Sequence, residues 1–318
     1  MISRITFLTG IALCATAQAQ SYPSKPIRII APFTAGGPVD IGARIVGQKL
    51  TEAWGQQIIV ENRVGASGTI GADLVAKAAP DGYTVLLSAS AHVIVPSIMP
   101  KLPYDAIRDF APVSVVMSSP LLLMITPTLP VNTVKEFVAL AKARPGELSF
   151  ASGGAGSSTH LVAELLKSVS GTKMVHVPYK GQSQALTDLM AGQIPFMFNA
   201  LPTVMELIRG KRLRTLAITS EKRSAQLPDL PTFAESGYKE MTTGSWYAVW
   251  LPAKTPEAII SRWHTEIVRI IALPDVNARL RDLGAEPVGN TPAQFDAFQK
   301  AEAVRWQKVI RDSGASTN

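Results

Sequence analysis

The 318-residue chain contains a single cysteine, Cys14, and only four histidines. One cysteine excludes a disulfide framework and any multi-cysteine metal site, and no two histidines have the spacing of a zinc-binding helix. Charged residues are scarce at 17%, whereas hydrophobic residues make up 47%. The chain is therefore not disordered, because disorder needs low hydrophobicity and high net charge. Its length corresponds to two domains at roughly 150 residues each.

The first twenty residues have the pattern of a secretory signal peptide. One cation, Arg4, precedes the apolar run Ile5 to Ala15 and the cleavage motif Ala17-Gln18-Ala19. The run is shorter than the roughly twenty residues of a membrane-spanning helix; the alternative is an ordinary first helix. Cleavage after Ala19 would also remove Cys14, and Leu13 before it disfavours a lipoprotein site. We predict signal peptide 1–19 and a soluble exported chain, since no later segment has eighteen unbroken apolar residues.

Short β-branched runs alternate with helical patterns, which predicts α/β layers with mainly parallel strands. The predicted strands are Ile27 to Ala31, Ile58 to Val60, Thr84 to Leu87, Leu121 to Ile125, Leu148 to Ala151, Met174 to Val177, Ile194 to Phe198 and Thr215 to Thr219. The predicted helices begin at Asp40, cover Gly71 to Ala79, Thr133 to Ala143 and Gln184 to Ala191, and include one that carries Leu161. Thr255-Pro256 and Thr291-Pro292 are typical N-cap and first-turn pairs and predict a helical tail.

The segment Pro112 to Pro127 is nearly all apolar and long for one strand, with Ser118-Ser119-Pro120 in its middle. This pattern is typical of a strand that leaves one sheet and enters another. Ser245 to Leu251 is a candidate for the return. Two crossings predict two α/β lobes around a cleft: residues 20–120 plus 246–318 as lobe 1 and residues 121–245 as lobe 2, with a hinge near Ser119-Pro120 and Ser245-Trp246.

Three glycine-rich turns follow predicted strands and open helices, at residues 32–40, 65–71 and 152–160. Ligands bind outside the carboxyl ends of strands in open α/β sheets. Helix N-termini and small hydroxyl residues bind anions without a fixed positive charge. A single turn of this kind often does no more than connect a strand to a helix. Three such turns in one chain favour a binding cleft.

Other functions lack their motifs. Gly154-x-Gly156 lacks the third glycine of a dinucleotide site, and no phosphate-binding G-x-x-x-x-G-K-[ST] run exists. The basic cluster Arg209 to Arg214 follows a helix, where cations complement the dipole, and no aromatics interleave it as nucleic-acid binding would favour. G-x-S-x-G, H-E-x-x-H and C-x-x-C are absent. We therefore expect a binding protein with no cofactor, no metal and no nucleic-acid partner, and not an enzyme.

Eight motifs, in order along the chain, resemble one known family. They are Tyr22-Pro23-Ser24-Lys25-Pro26-Ile27-Arg28, the turn 32–40, Glu61-Asn62-Arg63-Val64-Gly65-Ala66, Pro80-Asp81-Gly82-Tyr83-Thr84, Leu102-Pro103-Tyr104-Asp105, Asp109-Phe110-Ala111-Pro112-Val113, His176-Val177-Pro178-Tyr179-Lys180-Gly181 and residues 230–237. The sequence resembles the Bug family, the TctC-like extracytoplasmic solute receptors of tripartite tricarboxylate transporters. The resemblance runs from Tyr22 to the C-terminal helix.

The resemblance implies a type II periplasmic binding protein, with two α/β lobes joined by two crossing strands around a ligand cleft. It implies a monomeric receptor in the periplasm with a small carboxylate as its ligand. Its partners would be the membrane permease subunits of the transporter. Bridging waters would complete a site formed by the loops 33–40 and 152–160. The ligand-binding residues expected on this basis are Phe33, Thr34, Ala35, Gly36, Gly37, Asp40, Ala66, Ser67, Ser88, Ser152, Gly153, Ser157, Ser158, His160 and Asn199.

Within this set we predict two kinds of donor and one ambiguous residue. Hydroxyl donors are predicted at Thr34, Ser67, Ser157 and Ser158, and backbone N–H donors near Gly36, Gly37 and Gly153. His160 stands at a helix start, where it can bind ligand or serve structure alone.

The ligand class follows from charge. In the pattern that this sequence resembles, Asp often follows the strand that ends near Phe198, whereas this chain has Asn199. An ammonium group needs a counter-charge, and Asn supplies only a neutral acceptor; Asp40 stands where it would cap its own helix. We therefore predict a plain mono-, di- or tricarboxylate and not an amino acid. The alternatives are a receptor that presents ligand to a membrane sensor kinase and a secreted carboxylate-ester hydrolase, which would need a nucleophile–base–orienter set.

Overall fold

The computed structural model describes residues 22–313 except 100 and 211, so the predicted signal peptide lies outside the described residues. This part of the chain has ten strands and ten α-helices, which alternate over most of its length. The elements of the first half are β1 (Ile27–Ala31), α1 (Pro38–Trp54), β2 (Ile58–Asn62), α2 (Thr69–Ala76), β3 (Thr84–Ala89), α3 (Ala91–Ile94), β4 (Phe110–Ile125), α4 (Val134–Ala143), β5 (Ser149–Ser152) and α5 (Ser158–Ser170). Those of the second half are β6 (Val175–Pro178), α6 (Gln182–Met190), β7 (Phe196–Ala200), α7 (Leu201–Arg209), β8 (Arg214–Ile218), β9 (Gly244–Pro252), α8 (Glu257–Ala272), α9 (Pro274–Asp282), β10 (Glu286–Pro287) and α10 (Pro292–Ser313).

The strands form two sheets that share β4. The first sheet has the order β2-β1-β3-β9-β4, with β10 on the other side of β4. The second has the order β8-β4-β7-β5-β6. We use lobe 1 and lobe 2 for the residues packed around the first and second sheet. Pairing is parallel among β1, β2 and β3 and among β5, β6 and β7.

The prediction of mainly parallel pairing does not hold along β4 and β9. β4 pairs antiparallel with its neighbours in both sheets, and β9 pairs antiparallel with β3 and β4 in the first sheet. The reason is the route of the chain. β4 leaves lobe 1 for lobe 2, whereas β9 re-enters lobe 1, so the two strands run in opposite directions.

The predicted change of sheet occurs within β4, which is 16 residues long. Its pairing with β9 ends at Pro120 opposite Gly244, and its pairing with β7 begins at Leu121 opposite Ala200. Just before β9, the Thr243 N–H still donates to a carbonyl of lobe 2. Both crossings predicted from the apolar runs are therefore present.

Four apolar clusters cover the two faces of each sheet. Successive strand residues alternate between them: Ile29 packs with α1 and α8, whereas Ile30 packs with α2 and α10. In lobe 2, Leu123 packs into the cluster on one face of the second sheet and Met124 into the cluster on the other face. Burial on both faces explains why these strands are continuous apolar runs without an exposed polar side.

Helix α10, which is 22 residues long, connects the lobes on the side of the first sheet away from α1. Its Glu302 Oε2 accepts hydrogen bonds from the indoles of Trp246 and Trp306, each at 3.2 Å. Leu161 of α5 packs into the apolar cluster that contains these two tryptophans. No helix in the described ranges is both long enough and apolar enough to cross a membrane.

The two predicted caps of the tail have different outcomes. Thr291 caps α10, with its Oγ1 accepting from the Gln294 N–H at 3.2 Å. Helix α8 begins one residue later than predicted, at Glu257, with Pro256 in the N-cap position. The reason is that the Thr255 hydroxyl donates backwards to the Pro252 carbonyl at 2.7 Å and does not cap the helix.

The basic cluster after α7 serves structure where it is described. Arg209 ends α7 and pairs with Glu206 at 3.0 Å. The Arg214 guanidinium donates to the carbonyls of Pro127 and Leu129 at 3.1 and 2.9 Å. Arg209 thus stabilises a helix end, and Arg214, the first residue of β8, holds the loop that contains Pro127 and Leu129.

Candidate functional site

A cavity of about 40 Å³ lies between the lobes, at the carboxyl ends of β1, β3, β5 and β6. It is lined by Phe33, Thr34, Gly37, Pro38, Val39, Ala89, Ala91, Gly153, Ser157, Ser158, Gly181, Gln182 and Tyr247. A single water molecule needs roughly 10–15 Å³ by this measure. The closed cleft therefore suits a compact ligand.

Three helices of eight residues or more begin at this cavity: α1 from lobe 1, and α5 and α6 from lobe 2. The first-turn N–H groups of a helix have no partner within the helix, and its N-terminus carries a partial positive charge. None of the described lining residues is Asp, Glu, Lys, Arg or His. The arrangement can bind an anion through helix ends and hydroxyls, without a fixed positive charge.

The first loop is held by Asp40, which is buried near the start of α1. Its carboxylate accepts from the Gly36 N–H, the Arg44 guanidinium and the Asn62 amide, each at 3.0 Å. Burial acts to raise the pKa of Asp40, but these hydrogen bonds outweigh burial and hold the pKa below its usual range. The charge of Asp40 is thus committed to the loop, and the residue does not line the cavity.

Three backbone donors predicted to hold a carboxylate already have acceptors within the protein. Besides Gly36, the Gly37 N–H donates to the Thr34 carbonyl at 3.2 Å, and the Gly153 N–H donates to the Thr159 hydroxyl at 3.1 Å. In the described conformation these three donors are engaged, and the glycines allow the loops to turn tightly. The first-turn N–H groups of a helix are further donors, because they have no partner inside the helix.

The second loop is fixed by Ser157 and His160. Ser157 Oγ donates to the Gly154 carbonyl at 2.7 Å and accepts from the His160 N–H at 3.3 Å as the N-cap of α5. The His160 ring is buried, and its Nδ1 accepts from the Gly156 N–H at 3.0 Å. His160 does not line the cavity, so of the two roles open to it the geometry favours the structural one.

Two stacked histidines support this loop from behind. The rings of His160 and His176 lie 3.8 Å apart, and His176 Nε2 lies 2.6 Å from Ser152 Oγ. Burial, and next the neighbouring His160, lower the pKa of His176 to about 3. The His176 ring is therefore a neutral support of the loop.

The lobes touch beside the cavity at two places, and a third contact lies at the crossing strand β9. The Ser67 hydroxyl donates to the Ala155 carbonyl, whereas the Ser245 hydroxyl, at the start of β9, donates to Ser158 Oγ. Gly181 lies against Thr34, since a Cβ at position 181 would come within 2.8 Å of the Thr34 Cγ2 atom. The described conformation is closed.

Of the predicted site residues, six line the cavity: Phe33, Thr34, Gly37, Gly153, Ser157 and Ser158. The others support the loops or lie elsewhere: Ala35, Gly36, Asp40, Ala66, Ser67, Ser88, Ser152, His160 and Asn199. Asn199 is fully buried, and its Oδ1 accepts from the Ala200 N–H at 2.8 Å at the start of α7. Ser88 is buried within β3, opposite Ala248 of β9.

Five lining residues lie outside the predicted loops: Ala89, Ala91, Gly181, Gln182 and Tyr247. Pro38 and Val39 also line the cavity and belong to the predicted loop 33–40, although they were not named individually. Gly181 had a usable signal, because it follows β6 and precedes α6 just as the other turns follow a strand and precede a helix. Tyr247 had none that was local, since it is one of several aromatic residues in β9. Burial raises the pKa of Tyr247, so it presents a neutral hydroxyl.

Comparison with known proteins identifies the family. The family described as "Tripartite tricarboxylate transporter family receptor", TctC, matches residues 42–315. The chain belongs to the TctC, or Bug, family. Protein BugT of Bordetella pertussis is 39% identical over 311 residues, covering 97% of this chain and 95% of BugT.

Solved structures of this family share the fold. Rpa4515 of R. palustris, solved with adipate, is 35% identical with a TM-score of 0.89, covering 93% of this chain and 99% of that chain. MatC (Rpa3494) of Rhodopseudomonas palustris, solved with bound malate, is 30% identical with a TM-score of 0.86, covering 91% and 100%. The TctC-family chain thus has the predicted α/β periplasmic binding protein fold, and the family consists of solute-binding receptors.

Proposed function

We propose that this TctC-family protein is a periplasmic receptor that captures a small carboxylate and delivers it to the membrane permease subunits of a tripartite tricarboxylate-type transporter. The observation that carries the proposal is the convergence of three helix N-termini on one interlobe cavity lined only by neutral residues. Such ends stabilise anions. The relatives solved with adipate and malate support the same ligand class.

The architecture of the proposed receptor follows the division drawn from the sequence. We propose export through cleavage of residues 1–19, lobe 1 as residues 20–120 plus 246–318, and lobe 2 as residues 121–245. The change of pairing from Pro120 to Leu121 supports the first boundary. We also propose that the receptor is a monomer, since one chain supplies both lobes of the cavity.

A carboxylate is favoured over an amino acid because the cavity offers an ammonium group no counter-charge. Among the described residues, Asp40 is engaged by its own loop and Asn199 by α7. An unpaired buried charge costs several kcal/mol. Neutral acceptors alone would leave the ammonium group poorly compensated.

The test is a thermal-shift screen with a carboxylate library, followed by competition calorimetry with succinate, citrate, aspartate and glutamate. A ligand that binds only the folded state raises the melting temperature. We expect succinate or citrate to bind more tightly than either amino acid. Tighter binding of aspartate or glutamate would contradict the ligand class, and no response to any carboxylate would contradict the function.

The hydrolase alternative finds no support at the cavity. Ser152 and His176 are within hydrogen-bond distance, but Ser152 is fully buried and neither residue lines the cavity. A nucleophile must reach its substrate. We expect no turnover of generic esters by the purified protein.

A further inference from the structure

We infer that Gln182 selects carboxylates that carry a hydroxyl group beside the carboxylate. This inference rests on the proposed function, because it names the ligand subclass of the same cavity. It begins from one atom. The Gln182 amide oxygen is shielded from solvent and has no hydrogen-bond partner among the described residues, and Gln182 lines the cavity.

The side chain is held in place by the shape of the second loop. Gln182 lies over Gly153, so that a Cβ at position 153 would meet the Gln182 Cγ atom at 3.1 Å and its amide nitrogen at 3.6 Å. The preceding residue, Gly181, lies close against Thr34 of lobe 1. The Gln182 side chain therefore packs against a loop of its own lobe, one residue away from the contact with the facing lobe.

Gln182 differs in kind from the other polar side chains of the cavity. The others, Thr34, Ser157, Ser158 and Tyr247, are hydroxyls, and a hydroxyl can rotate to donate or accept. An amide oxygen can only accept. If the bound anion offers this oxygen no donor, the buried acceptor loses its hydrogen bond to water and gains none in return. That loss is unfavourable.

The donor that this acceptor needs must come from the ligand. An ammonium group would donate, but the described lining residues supply no negative charge to balance it. A hydroxyl donates without a charge, and a neutral acceptor satisfies it.

Calorimetry with three ligands of one carbon skeleton tests this assignment: succinate, malate and aspartate carry hydrogen, hydroxyl and ammonium at the same carbon. One neutral hydrogen bond predicts malate binding roughly 2- to 12-fold tighter than succinate. In Gln182→Met, which keeps the length of the side chain without its acceptor, the ratio of malate to succinate affinity falls to about one. Gln184→Met, an exposed position of the same helix, keeps the wild-type preference.

The other outcomes overturn the inference in distinct ways. Equal loss of malate and succinate binding in Gln182→Met would mean that the amide nitrogen faces the ligand carboxylate. If aspartate bound most tightly, the group that Gln182 recognises would be an ammonium group and not a hydroxyl. Succinate binding without a preference for malate overturns the inference alone, whereas failure of all three ligands, and of the wider carboxylate screen, overturns the proposed function with it.

Discussion

Ser67 of lobe 1 donates its hydroxyl hydrogen to the Ala155 carbonyl of lobe 2, across 88 positions of sequence. The bond joins the turn before α2 to the turn before α5, beside the cavity. Ser67 adopts a left-handed backbone, with φ of 57°, a conformation that is uncommon outside glycine and costs energy. A strained residue thus makes one of the contacts between the two lobes.

Replacing Ser67 by alanine should shift the receptor towards an open form. The variant loses a hydrogen bond worth about 0.5–1.5 kcal/mol, so we expect roughly 2- to 12-fold weaker binding of succinate or malate by calorimetry. Ser67→Gly is the matched control, because it also lacks the hydroxyl but relieves the positive φ. Both variants should lose affinity, and Ser67→Gly should be the more thermally stable; unchanged affinity in both would remove the contact from the closure mechanism.

Gly181→Ala should obstruct closure directly. Its Cβ would lie within 2.8 Å of Thr34 Cγ2 and 2.9 Å of Thr34 Oγ1, and Gly181 itself has an extended backbone that alanine adopts without strain. We expect a nearly unchanged melting temperature, weaker ligand binding and no compaction in small-angle scattering on addition of succinate. Gly210→Ala, an exposed glycine with φ of −75°, should behave as wild type. Full compaction of Gly181→Ala would show that the lobes do not need this contact.

Thr34→Val and Ser158→Ala each remove a hydroxyl from the cavity wall. Hydrogen bonds to charged groups contribute about 1.5–3 kcal/mol, which corresponds to roughly tenfold or more in affinity. Ser158→Ala also leaves the Ser245 hydroxyl without its acceptor, so we expect the larger loss there. Thr187→Val, at an exposed position of α6, is the control for Thr34→Val. Calorimetry that finds both cavity variants unchanged would exclude these hydroxyls from the site.

His92 should make the fold sensitive to acid. Burial lowers its pKa to about 4, opposed by the bond of Nε2 to the Ala106 carbonyl. An unfolded histidine titrates near pH 6.5, so between these values the unfolded state binds a proton that the folded state does not. The free energy of unfolding therefore decreases as pH falls through this window, by up to about 1.4 kcal/mol per pH unit.

The variant His92→Gln keeps an N–H donor for Ala106 and cannot take up a proton in this range. Urea denaturation at pH 7, 6 and 5 should show a smaller loss of stability with acid than in the wild-type protein. A residual slope is expected from His176, whose pKa is also lowered, to about 3. Parallel profiles for variant and wild type would contradict the assignment to His92.

Much of the fold could be predicted because it depends on local patterns. The apolar run with Pro120 in its middle identified the change of sheet, and Thr291-Pro292 marked α10 within one residue. The antiparallel pairing of β4 and β9 could not be predicted in this way, since it follows from the direction in which the chain crosses between lobes. Helix α9 begins at Pro274 without a capping hydrogen bond, and it was not predicted, since the proline and Asp275 at its start are not preceded by a capping residue.

The sequence predicted which loops form the site more completely than it predicted which atoms of those loops can bind a ligand. Glycine-rich turns identify where the backbone approaches a ligand, but not which N–H groups remain available. The N–H of Gly153 is taken by Thr159, six positions along the chain, and that pairing depends on the folded loop. Gln182 escaped notice because an amide at a helix start is ordinary in sequence; only its packing over Gly153 makes it distinctive.

The neutral lining of the cavity has a consequence for the protein as a whole. On the proposed function, a bound dicarboxylate adds its two negative charges to the receptor, and none of the described lining residues offsets them. Loaded and empty forms then differ in net charge as well as in shape. They should migrate at different rates in a native gel at neutral pH, and a charged partner surface can distinguish them at long range through the electric field alone.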